Sequence, residues 1–472
     1  MTAGPDRLHA LDTLWAEMQD DGPPIAIGTA AVGSGGAPTR AEVQALVDSR
    51  LDRMPRLAQE PNGGPWAARR PEWVDSPRFA LERHLHRLDA PPAAAPGRPE
   101  RWWEVAVGRV MEQPLPADQP LWDLGVVPGP HRQWVLVWRV HHAVSDGLGA
   151  LSLLGHGFDL HPDGGPTMAE AVAQQALASR SGQPRLPSGG APRAAPDQEV
   201  TGRGLGPGRL IGEGLEAVRR AVPHARPALE ALLPHPPGPL TAAVGPGRTW
   251  VSTQVPLGQA RGVGRRLGAT VNDVVLGCVA GGFADLLESR GQDPGRATVR
   301  TLVPVSMRPR ADDRSHNELS GMLVHLPVGV ADPAQRVRAV QAELRHSRGF
   351  GTPLLASLLV GIVDRAVPAG VQDLSVGVAG RSVPAWFLDT VTTNVPGPQF
   401  PVFLCGRPVT AMYPVIPIAG HTCITVGIFS YDGTLHVGVT GDSQRAADVA
   451  GLARGISRAA TALVDQVASI AD

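Results

Sequence analysis

Apolar positions fall into two ordered stretches with a poorly patterned one between them. In the first, the small apolar run 27–33 reads as a strand. Val43, Leu46, Val47 and Leu51 recur at helical spacing behind Thr39, which predicts a helix capped by Thr39 and running to about Met54. Val105, Val107 and Val110 place another helix over 102–110. Residues 133–140, Gln-Trp-Val-Leu-Val-Trp-Arg-Val, form the clearest strand, and their nearly continuous apolar run predicts burial on both faces. A helix carrying Leu148, Leu151, Leu153 and Leu154 starts near Gly147. From Trp250 onward, strand-like runs occupy 249–255, 298–305, 322–330, 387–394, 423–430 and 434–440. Helical patterns occupy 270–289, 333–347, 353–365 and 445–468. Between the two stretches Gly, Pro and Ala dominate; 187–196 has no periodicity, and 208–233 regains a helical pattern. The expected organisation is a first half at 1–160, a Gly/Pro-rich linker with a helical connection at 161–244, and a second half at 245–472.

Composition narrows the class. The 472 residues are 43% hydrophobic, enough for two cores, and 18% charged. A net charge of -1 without a polybasic tract argues against nucleic acid as a partner. Cys278, Cys405 and Cys423 cannot build a disulfide framework, so reduced thiols in a cytoplasmic protein are expected. The first residues do not read as a signal peptide, and no run of about 18 apolar residues predicts a membrane span. A lipid substrate would be met from the surface, so peripheral contact with a membrane or lipid droplet is compatible with the sequence.

The buried strand ends in His141-His142-Ala143-Val144-Ser145-Asp146-Gly147. Neighbouring strand residues point to opposite faces, so the two histidines cannot share one task. One should face a cleft, where an imidazole near neutral pKa can take a proton from an attacking alcohol, and the other should be packed. Asp146 more simply fixes the turn into the helix, as a cap or as the partner of a distant arginine. A purely structural His-His pair and a zinc site are the rival readings. Zinc is disfavoured because H-E-x-x-H and Cys/His ligand spacing are absent, so no metal is expected.

His141 to Gly147 matches the HHxxxDG signature of acyltransferases that resemble chloramphenicol acetyltransferase, which peptide-synthetase condensation domains share. Pro114 to Trp122 resembles the PLDxxxPLW element of wax ester synthase/diacylglycerol acyltransferases, with Pro116 where that family usually has Asp. Leu11-Asp12, Trp73-Val74 to Phe79, Asn272-Asp273, Val303 to Arg308, Asn317, Leu323 to Pro327, Thr393 to Pro398 and Ser430 to Gly433 resemble further elements of the same family. The likeness covers nearly the whole chain except about 160–240; His421 departs from it, standing where small residues are expected.

The resemblance implies an α/β fold of two chloramphenicol-acetyltransferase-like halves, with mixed sheets, flanking helices and the active site at their interface. It implies an O-acyltransferase moving a long-chain acyl group from CoA to diacylglycerol or a fatty alcohol. Acyl-CoA would be a co-substrate, and no bound cofactor is implied. His142 would be the general base, His141 its structural support, Asp146 the group that orients the motif, and the Gly147 N–H an oxyanion donor. Asn272, Asp273, Arg308 and Asn394 would support the site. Each has a plainer reading: helix capping for Asn272 and Asp273, a surface charge for Arg308, a turn for Asn394. A buried Asp146 needs a partner, and Arg308 is the expected one across the cleft. The alternatives are acylation or condensation of a specialised metabolite at the same His142, and a lipid-binding protein that catalyses nothing.

Overall fold

The structure, a computed structural model, describes residues 25–62, 72–87, 101–115, 118–145, 147–181, 238–306, 319–349 and 388–469. Helices α1 to α8 span Arg40–Asp48, Trp103–Glu112, Gly147–Gly155, Met168–Ser181, Leu257–Leu267, Val271–Ser289, Pro333–Gly349 and Val449–Ser469. Strands β1 to β8 span Ala26–Gly33, Gln59–Asn62, Glu72–Asp75, Leu85–Arg87, Trp122–Pro128, Trp134–His141, Asp159–His161 and Gly164–Thr167. Strands β9 to β16 span Arg248–Pro256, Val299–Ser306, Leu319–Leu326, Thr390–Val395, Phe403–Leu404, Arg407–Val415, Ile424–Tyr431 and Thr434–Asp442.

Two mixed sheets organise these elements. The first has the order β4-β5-β6-β1-β14-β13-β7-β8, the second β11-β10-β12-β15-β16-β9. Strand β6 is buried along its whole length, as its continuous apolar run requires. Its Trp134, Leu136, Trp138 and Val140 enter a core with α1 and α3, while Val135 and Val137 enter another with α2. Trp122, Trp134 and Trp138 pack this half, as expected. In the second sheet, Val426, Ile428, Val437 and Val439 face a core made with α5, α6, α7 and α8. The alternate residues, among them Gly427, His436 and Gly438, form the opposite face.

Strand β14 joins the halves. It lies in the second half of the sequence yet pairs with β1 in the first sheet, Gly28 opposite Val415. It also crosses the second sheet, where Gly427 and Gly438 sit opposite one another on β15 and β16. A Cβ on Gly438 would lie 2.1 Å from the Pro414 carbonyl oxygen, and one on Gly427 would lie 2.8 Å from Pro414 Cγ. The two glycines therefore form a notch that only a bare backbone can supply.

Three expectations change. The linker expected at 161–244 begins too early, because β7, β8 and α4 extend ordered structure through Ser181 and complete the first sheet. Short Gly- and Pro-containing edge strands leave little period to read. The helix behind Thr39 ends at Asp48, with a 3-10 turn over Leu51–Arg53, and the strand expected at 322–330 is Leu319–Leu326. The helical patterns at 208–233 and 353–365 lie outside the described residues, as do Leu11-Asp12, Pro116 and Asn317.

Gly438→Ala should force β14 off the second sheet and cost about 1–3 kcal/mol, as overpacking does. Gly451→Ala, on α8 with open space around it, should instead be neutral or stabilise by up to about 1 kcal/mol. Urea unfolding of the two variants beside the parent measures both; equal stability of all three would contradict the notch.

Candidate active site

The histidine pair is positioned by backbone pairing. The His141 N–H donates to Leu121 O at 2.8 Å, and the His142 N–H donates to Ile25 O at 3.1 Å. Val144 N then donates to His141 O at 2.9 Å, turning the chain out of β6 toward α3. His141 is fully buried, and its Nδ1 accepts the Ala143 N–H at 3.1 Å. That bond leaves the ring proton on Nε2, and the ring staples the turn that carries its neighbour. His142 is half-buried. The two rings thus differ, one fully buried and one half-buried. The chain enters α3 at Gly147. Asp146 and Arg308 lie outside the described residues, so their contact remains an expectation.

Two buried charges hold this strand. Arg139, two residues before His141, is 1% exposed and grips Asp123 on β5 with both Nε and Nη2. Its Nη1 donates to the Val110 and Gln113 carbonyls at the end of α2, at 2.6 and 2.5 Å. Asp123 and Arg139 are direct cross-strand partners. Sequence reasoning missed this pair, although an arginine inside an apolar run and an aspartate directly after Pro120-Leu121-Trp122 were visible signals.

The second half brings Asn272 and Asn394 together: Asn394 Nδ2 donates to Asn272 Oδ1 at 3.1 Å. Asn272 is in the first turn of α6 and Asn394 near the end of β12. The neighbouring Thr393 hydroxyl is buried and has no hydrogen-bond partner among the described residues. Thr393 pairs with Gly427, the residue over which Pro414 crosses. From there β14 leads to β1, and β1 to β6, two strand spacings of about 5 Å each. Asp273 does not reach the cleft. It is buried in a capping box, accepting the Thr270 N–H at 2.7 Å while Thr270 Oγ1 accepts the Asp273 N–H at 3.2 Å. The plainer reading holds for Asp273, because a carboxylate there satisfies helix N–H groups first.

Other familial residues serve the frame. Asp432 and Gly433 turn β15 into β16 with positive φ. Tyr431 donates its hydroxyl to Val409 O and accepts the Val402 N–H, both at 3.0 Å, anchoring β14. Among the described residues no group of three or more His, Cys, Asp or Glu could hold a metal ion.

Burial pushes the His141 ring down to about 4, and does the same to His436. Each is neutral in the fold and takes a proton near 6.5 once unfolded. The unfolded chain therefore binds more protons between those values, and stability is full above pH 6.5 and lost as pH falls toward 4. The loss at pH 5 should be roughly 2 kcal/mol for each ring. Urea titrations at pH 7.5 and 5 should show it, and His436→Gln should remove about half; a pH-independent midpoint would contradict the burial of both rings.

Residues 8–275 match the wax ester synthase/diacylglycerol acyltransferase catalytic domain, and 316–463 match the C-terminal domain of the same family. A probable diacylglycerol O-acyltransferase of Mycobacterium tuberculosis is 31% identical over 463 residues, covering 97% of this chain and 96% of that protein. The wax ester synthase/diacylglycerol acyltransferase of Marinobacter aquaeolei VT8 superposes with a TM-score of 0.65 at 18% identity, over 98% of this chain and 100% of that one. The first condensation domain of the calcium-dependent antibiotic synthetase superposes at 0.55 and 17%, over 98% and 97%. By these matches over nearly its whole length, the chain belongs to the wax ester synthase/diacylglycerol acyltransferase family of O-acyltransferases.

Proposed function

We propose that the chain transfers a long-chain fatty acyl group from acyl-CoA to the hydroxyl of diacylglycerol or a long-chain alcohol, with His142 as general base. The observation that carries this is the division of the histidine pair, one ring locked into the frame and the other half-buried on the same turn. His142 removes the hydroxyl proton as the oxygen attacks the thioester carbonyl. The C–S bond breaks, and CoA leaves as the thiolate, which takes up the proton. The Gly147 N–H, at the start of α3, donates to the oxyanion, where the positive helix end adds to the effect. Asp146 orients the turn, and the Asn272–Asn394 pair supports the facing wall. Thioester and ester share one oxidation state at the acyl carbon, so the chemistry calls for acyl-CoA as co-substrate and for no bound cofactor. The name of the Mycobacterium tuberculosis relative favours diacylglycerol as acceptor.

The acceptor would be met at a lipid surface. Among the described residues no single helix is long and apolar enough to cross a membrane. Helices α5 and α6 pass that test only together, bent by 104°, and α6 is spent on the second core. Any lipid contact is therefore read as peripheral.

His142→Ala should leave the fold intact and lower turnover about 10²–10⁴-fold, the usual loss for a general base. His141→Ala should lose stability first, by about 2–3 kcal/mol, because it empties a buried site and orphans the Ala143 N–H. Labelled palmitoyl-CoA offered with diacylglycerol, hexadecanol and a panel of small alcohols and amines reads both activity and acceptor. A folded His142→Ala variant with near-parental turnover would end the mechanism, and product only from amines would favour condensation chemistry.

A further inference from the structure

Among the described residues the second sheet ends in β9, whose outward backbone groups meet no partner strand. Free sheet edges of this kind need cover. Helix α2, from the first half, supplies it with one stripe of residues spaced by four: Glu104, Gly108 and Glu112. Glu104 Oε1 accepts both the backbone N–H and the hydroxyl of Ser252, each at 2.8 Å. Glu112 Oε1 accepts the Arg248 N–H at 2.9 Å. Between them Gly108 lets the helix lie directly on the strand; a Cβ there would sit 3.2 Å from Arg248 O. Arg101 donates to Ser252 Oγ at 2.9 Å and closes the arrangement. Glu104 and Ser252 are both buried.

This lock reaches the chemistry from both sides. Ser252, Gly438, Gly427 and Thr393 are successive cross-strand partners in one row of the second sheet, and Asn394 follows Thr393. On the other side, the last turn of α2 is held by Arg139, two residues before the histidine pair. A shift of α2 along β9 would therefore move the strand bearing His142 relative to the wall bearing Asn272 and Asn394.

We propose that Glu104 is a positioning residue for acyl transfer: through Ser252 it sets the register of α2 on the edge of β9, and hence the reach of His142 across the cleft. The proposal rests on the reading of His142 as base.

Two measurements on the full chain test it. Hydrogen exchange reads the lock without reference to activity: Glu104→Leu should speed exchange of the Ser252 amide about tenfold or more. The Val251 and Thr253 amides, facing β16, should keep their protection. Steady-state CoA release from palmitoyl-CoA reads the positioning. Glu104→Leu should lower kcat about tenfold or more at a KM within about twofold of the parent, because misplacement weakens the reacting geometry. Glu104→Gln keeps a carbonyl acceptor and should restore both readouts. If Glu104→Leu does not fold, Ser252→Ala replaces it. That variant removes the hydroxyl that donates to Glu104 and accepts from Arg101, keeps the backbone N–H bond to Glu104, and should lower kcat about threefold at unchanged KM. Faster Ser252 exchange with parental kcat would reduce Glu104 to an anchor and overturn the proposal, as would a parental kcat in Ser252→Ala or failure of Glu104→Gln to rescue. A parent that releases no CoA at all would instead defeat the transferase reading.

Discussion

Arg139 carries a charge into a strand that is otherwise apolar up to His141, and the first half is arranged so that protein atoms replace the water around it. Asp123 takes two of its donors and the end of α2 takes another twice over. A buried pair of this kind adds little net stability against a hydrophobic substitute, but removing one member costs about 3–5 kcal/mol. Its contribution is registry. One guanidinium fixes β5 against β6 and α2 against both, within two residues of the histidine pair.

The two faces of the second sheet bury different surfaces. Toward α5 to α8, Ile424, Val426, Ile428, Leu435, Val437 and Val439 make an apolar surface. Toward the first half, Thr425, Gly427, His436, Gly438 and Thr440 alternate with them. That face is polar and small, and it is buried against β14, where Tyr413 packs edge-on to His436 and Trp250. Three further contacts fix it there: Pro414 in its glycine notch, the Tyr431 hydroxyl on β14, and α2 on β9.

Local patterns were legible in the sequence and long-range pairings were not. The β6 run, the Thr39 and Thr270 caps, and the helices of the second half follow from periodicity and capping chemistry read within a few residues. The HHxxxDG motif announced the site because its spacing is local too. Strand β14 escaped notice, since Pro408 and Pro414 break the look of a strand. Beyond Pro408 its outer side meets no partner strand among the described residues, which is where proline is tolerated. Asn272 and Asn394 were each named, but nothing in sequence spacing says that their amides touch. Glu104 was invisible for the same reason, because its partner is a backbone N–H far along the chain.

The pairing of β1 with β14 also bears on how the molecule is made. Gly28 must wait for Val415 before the middle of the first sheet is complete. A chain emerging from the ribosome therefore carries the open flank of β1 through most of its synthesis, while the helices around α6 and α8 assemble from nearer neighbours. The two matched family segments are thus not separate folding units. The first half is not complete until β14 has been made, although its histidine strand β6 has both of its neighbours, β5 and β1, from the start of the chain.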